Sequence, residues 1–262
     1  MHLTLVENLL WAFGTALKVL LCILVFYRHL YRRLPFFSIY VALLVTKVVV
    51  VWSVYRLWGY NSRFAWYTAW CAIGVLVLAR GLVVAELCWT NLASYPAIWS
   101  LVRKLLVFVA VLVLAYAATT AYYNKTPVSA FILTAERGSE ISILVILVAM
   151  LGLGIRYKVA LGLLERNIVL GLGLYSAFQV VNDSFVDQWM APHFHWWNST
   201  RIVAFDAALL MWLVPLRKAL PHPGHAHVLL TEQVARHLLR QLLDRMREVT
   251  EELKKLGKSP RK

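Results

Sequence analysis

Eight polar side chains stand inside long apolar runs of this chain, where their chemistry has no water to work in. Lys18, Lys47 and Arg80 each lie about 12–14 residues into such a run, which is ~20 Å deep at ~1.5 Å per helical residue. Glu86 follows further along the same run as Arg80, Gln179, Asn182 and Asp183 share another, and Asp206 lies in the last. A charge in hydrocarbon costs about 2.5–3.5 kcal/mol even on the lenient insertion scale, so such groups face an interior, a wet cavity or each other. Arg80 and Glu86 are six residues apart, hence ~9 Å apart along a helix and about 120° around it, and cannot form an i,i+4 pair. Arg80 is therefore expected to find a carboxylate on another helix, Asp206 first and Asp183 second. Glu86 is expected to take Lys47 or Lys18. Three mid-depth cations face one mid-depth carboxylate and two shallower ones. That leaves three chemistries open: a structural ion-pair network, an anion or lipid-headgroup site at an unmatched cation, or a proton or ion path through Glu86.

Other chemistries have weaker signatures. His193 and His195 have the i,i+2 spacing that turns two imidazoles to one side of an extended segment, with Asp183 and Asp187 near in sequence, so zinc or copper is conceivable there. His222, His225 and His227 form a second cluster. The chain has no phosphate loop, no His-Glu-x-x-His helix and no Gly-x-Ser-x-Gly elbow. A covalent retinal would need a lysine deep in the last apolar run. Four residues after Asp206 there is Leu210, and Lys218 lies only at the edge. No cofactor is expected, and the balance favours a protein that is not an enzyme.

The elements that must position these groups follow from composition. Of 262 residues, 61% are hydrophobic and 15% charged, and mean hydropathy is +0.66. Globular chains carry roughly 45–50% and about 25%. A soluble enzyme, a disordered tail and a disulfide-stapled module are excluded. The three cysteines, Cys22, Cys71 and Cys88, sit inside apolar runs as small hydrophobes. Seven apolar segments emerge, near 5–27, 35–58, 66–90, 101–121, 138–157, 167–187 and 200–219, each long enough to cross ~30 Å of hydrocarbon. The fifth has an alternative start near Pro127, from which it would protrude or break at Gly138. The expected fold is all-α, a bundle of seven transmembrane helices over residues 1–220.

The net charge of +14 is spread over span ends, not along one face, so it argues for membrane topology and against nucleic acid. Ten Lys and Arg lie in one set of connections and five in the other, and the tail adds nine to the first set. The positive-inside rule then places the N-terminus outside and the C-terminus in the cytoplasm. Glu7, Glu136, Glu140, Asp183 and Asp187 fall on the outer side in this arrangement. Trp66, Tyr67 and Trp70, and Trp189, Trp196 and Trp197, mark headgroup levels as an anchoring belt.

Residues 221–227 read as a breaker-rich linker, and 228–262 as a cytoplasmic amphipathic helix with a basic tail. Leu239, Leu242, Met246, Val249, Leu253 and Leu256 repeat at 3, 4, 3, 4, 3, a heptad seam. Such a helix lies on the membrane surface or the bundle, self-associates as a coiled coil, or docks a cytoplasmic protein partner.

Arg32–Phe37 (Arg-Arg-Leu-Pro-Phe-Phe), Glu86, Tyr95-Pro96, Glu136-Arg137 and the Gly171–Tyr175 stretch carry a resemblance. Over roughly 1–215 the chain resembles a group of uncharacterised acidobacterial multi-pass proteins, often seven-span. The resemblance implies a bacterial inner (plasma) membrane and this topology, and it carries over no activity and no functional residue. Three functional classes are left: a receptor-like sensor passing a stimulus to a cytoplasmic partner through the C-terminal helix, a membrane scaffold or accessory subunit, and a small transporter using Glu86 and Arg80.

Overall fold

A computed structural model of the chain describes residues 5–93, 96–157, 162–189 and 194–217, with backbone only at 5–7, 96–98, 153–157, 183–189 and 194–198. The linker 221–227 and the heptad residues Leu239, Leu242, Met246, Val249, Leu253 and Leu256 lie outside the described residues. So does His193.

Among the described residues the fold is all-α. The helices are α1 (Leu5–Tyr27), α2 (Pro35–Trp58), α3 (Arg63–Leu92), α4 (Pro96–Tyr122), α5 (Pro127–Tyr157), α6 (Leu163–Trp189) and α7 (Phe194–Arg217), with a 3-10 turn at Leu30–Arg32. Proline opens α2, α4 and α5, where its fixed φ suits the first turn and its missing N–H costs nothing. The Ser62 hydroxyl caps α3 by accepting from the Ala65 N–H at 3.0 Å. Gly59, at φ 77°, ends α2 in the left-handed region that glycine adopts freely.

Each helix packs on the next, and α1 also packs on α7, so the seven close into a ring; α3 further contacts α5 across it. α4 is outermost, with Ala117 its only buried residue over 99–122. Phe108, Leu112, Leu78 and Val148 face outward uncovered. Rings of apolar side chains on the outside of closed helices, whose backbone polar groups are satisfied internally, belong to a multi-pass membrane protein.

Five helices, α1 to α4 and α7, contain stretches long and apolar enough to cross a membrane. α5 and α6 have the length, 31 and 27 residues. They supply Glu136, Glu140, Glu165 and Gln179 to the interior, as described below. α5 begins at Pro127 and runs unbroken through Gly138. Gly138 lies against α4: a Cβ there would come within 3.0 Å of Val113 Cγ1. The glycine therefore permits close helix approach, and does not break the helix.

Candidate functional site

The centre of the ring is an ion pair between Arg80 Nη1 on α3 and Glu140 Oε1 on α5, with side chains only 6% and 1% exposed. Arg80 faces inward as its cost in lipid requires. Its partner, however, is Glu140 and not Asp206 or Asp183. Ring order explains the correction: α3 packs on α2, α4 and α5, whereas α7 packs on α6 and α1. Tyr175 of α6 sets its ring 5.0 Å from the Arg80 guanidinium, a favourable cation–π geometry. Tyr40 of α2, fully buried, also interacts with Arg80. Glu136, one turn from Glu140 on α5, interacts electrostatically with Arg80 and Lys47.

The expected cation excess disappears with this arrangement. Lys18, Lys47 and Arg80 now face three carboxylates, Glu136, Glu140 and Asp206. Taking the fifth span to start at 138 had put Glu140 at the membrane edge. From Pro127 it lies 13 residues into the helix.

Glu86 has a different task from the one its sequence position suggested. Its Oε1 accepts from the Phe36 N–H at 2.9 Å and its Oε2 from the Phe37 N–H at 2.8 Å. These are free first-turn amides of α2, and a carboxylate there satisfies orphan donors and meets the positive end of the helix. Glu86 thus caps a helix from a neighbouring one and pairs with neither Lys47 nor Lys18. Close by, Arg33 Nη2 donates to Glu165 Oε1 at 2.6 Å. Glu165 is buried in the first turn of α6. Two carboxylates, from α3 and α6, therefore hold the junction of α1 and α2.

A third polar region lies around α6 and α7. Asp206 is 5% exposed and points at α1, where a Cβ on Gly14 would come within 2.5 Å of its Oδ1. Neither Asp206 oxygen has a hydrogen-bond partner. Lys18, one turn along α1 from Gly14, interacts with it electrostatically, while the Lys18 ammonium stands 5.4 Å from the Phe205 ring. On α6, Ser176 Oγ, Gln179 Oε1 and Asn182 Oδ1 are buried without partners. The fully buried Trp212 lies edge-on to Phe37, Tyr40 and Phe205. Its indole N–H points at Gly171, where any side chain would collide with it.

The histidine pair is not supported as an extended motif: His195 lies in the first turn of α7, where the backbone is helical. Among the described residues no three His, Cys, Asp or Glu side chains converge as a metal site. Asp183 is helical in backbone, and its side chain is outside the described set.

Sequence reasoning found Arg80 and Glu86 and missed Arg33 and two acids, Glu140 and Glu165. Glu165 had a usable signal, an acid in the first turn of a helix. Glu140 had one too: it follows Glu136 by four residues, and so shares its helix face. Among protein families, curated proteins and solved structures, none matches this chain.

Proposed function

We propose that this multi-pass membrane protein is a receptor-like sensor. Seven helices span the membrane with the N-terminus outside and the C-terminus in the cytoplasm of a bacterium, as the basic connections and the acidobacterial resemblance suggest. The stimulus acts on the polar interior, and the response leaves at the cytoplasmic α1–α2 junction, with the tail helix 228–256 meeting a protein partner or a second copy.

One observation carries this reading. α3 bears both Arg80, paired with Glu140, and Glu86, which holds the first turn of α2. Six residues of one continuous helix join them, ~9 Å of rigid rod. A shift of α3 that breaks the central pair must also disturb the cap on α2. The α6–α7 interior offers a drive for such a shift. Ser176 Oγ, Gln179 Oε1, Asn182 Oδ1 and both Asp206 oxygens are buried without a protein partner, and a buried polar atom left unmet costs about 1–3 kcal/mol. A second arrangement that pairs these groups with water or a polar ligand is therefore within reach, and a stimulus needs only to prefer it.

The test is hydrogen–deuterium exchange on the full chain in nanodiscs. Arg80→Gln should raise exchange around 136–145 and also at the α1–α2 junction, 28–37. A rise confined to 136–145 would show that α3 does not couple the two. The scaffold or accessory-subunit reading, in which the buried charges only stabilise the bundle, would then stand. The transporter reading loses support because both Glu86 oxygens are committed to backbone amides.

A further inference from the structure

The turn between α2 and α3 joins two helices of spanning length, so it sits where hydrocarbon gives way to headgroups. A depression of about 600 Å³ opens there, lined by Tyr60, Asn61, Ser62, Arg63, Trp66 and Tyr67. Its charge is one-sided. From Asn8 to Ala85 the sequence contains no Asp or Glu. Arg56 and Arg63 are exposed, and neither joins an ion pair among the described residues. The surrounding rings are organised in contact with one another: Tyr55 with Tyr60 at 4.5 Å, Trp58 with Phe64 at 5.0 Å and Trp66 with Tyr67 at 4.9 Å.

An anchoring belt needs only amphipathic rings. This turn adds a concave surface, an unpaired guanidinium and polar groups from Tyr60, Asn61 and Ser62. Guanidinium binds phosphate oxygens through two parallel N–H donors, and aromatic rings at headgroup depth cover the apolar part of a lipid. We infer that the depression at the α2–α3 turn binds a phospholipid headgroup, with Arg63 as the phosphate partner and Trp66 and Tyr67 packed against the lipid. A free phosphate ion shares the anion chemistry but leaves the rings with nothing to cover. The inference needs the multi-pass membrane reading and is independent of the sensor reading.

Native mass spectrometry of the full-length protein in detergent tests it, with phosphatidylglycerol, diacylglycerol and inorganic phosphate as three probes. Phosphatidylglycerol should give a saturable adduct that diacylglycerol does not give. Arg63→Gln should weaken it about tenfold, as loss of a charge-assisted contact does. Arg63→Lys should keep part of it. Arg103→Gln, an exposed arginine near the opposite end of α3, should leave it unchanged. Trp66→Ala should weaken the adduct independently of charge. Unchanged binding in both Arg63→Gln and Trp66→Ala overturns the site, and so does equal binding of diacylglycerol. Displacement of the lipid by millimolar inorganic phosphate overturns the lipid assignment.

Discussion

At the junction of α1 and α2, each buried carboxylate has a donor: Glu86 holds two backbone amides and Glu165 holds Arg33. Around α6 and α7, Ser176 Oγ, Gln179 Oε1, Asn182 Oδ1 and both Asp206 oxygens belong to equally buried residues and have no protein partner. The first region resembles a set of staples. The second leaves buried polar oxygens without protein partners. The Arg80–Glu140 pair stands between them, and burial alone does not distinguish the three. What separates them is how many of the polar atoms have partners: Glu86 uses both oxygens, Glu165 one of two and Asp206 neither, and a missing buried hydrogen bond costs more than a formed one contributes net.

The comparison breaks most sharply at the central pair. Arg80→Leu and Glu140→Leu should each cost about 3–5 kcal/mol, since each leaves an uncompensated buried charge. The double variant should recover part of that loss, and unfolding midpoints in detergent would show it. Simple additivity would mean that the two side chains do not act as a pair.

Glu86→Ala should rank next, at about 2–3 kcal/mol, because two first-turn amides of α2 lose a charged acceptor. Glu86→Gln should cost less, since one carbonyl oxygen remains to accept. Equal losses in the two variants would mean that the capping bonds contribute little.

Gly171→Ala tests the packing beside the unsatisfied region. The added methyl meets the Trp212 indole, and overpacking of this kind costs about 1–3 kcal/mol. The emission of the buried Trp212 should change with it. A fully stable Gly171→Ala protein would show that the Trp212 ring can move aside.

The smallest effect is the most diagnostic. Gln179→Met conserves shape and removes a buried oxygen without a partner, so stability should be unchanged or slightly raised. A loss above about 1 kcal/mol would show that Gln179 is satisfied after all, by water for instance, and the contrast between the two regions would vanish.

Much of this was legible beforehand. Apolar runs of 20 or more residues have one solution in lipid, so the helices, their number and the inward direction of Arg80 followed from hydrogen-bonding and charge costs alone. The start at Pro35 was legible, whereas hydropathy placed the fourth and fifth starts at 101 and 138 and the helices begin at Pro96 and Pro127, where proline suits the first turn. The resemblance motif around Pro35–Phe37 and Glu86 was visible as two separate fragments. Nothing in their order along the chain said that one caps the other.

Partner choice needed the ring. Whether Arg80 meets Glu140 or Asp206 depends on which helices are neighbours, and neighbours are decided by packing, not by position in sequence. Likewise Gly14 and Gly171 read as ordinary helical glycines until α7 lays Asp206 in the notch of one and Trp212 in that of the other. Composition and spacing dictated that Lys18, Lys47, Arg80 and Asp206 would be buried within helices, because hydrophobicity is a local property. Which of them find partners depends on the packing of the helices, because a hydrogen bond needs two atoms within ~3 Å and local chemistry places only one.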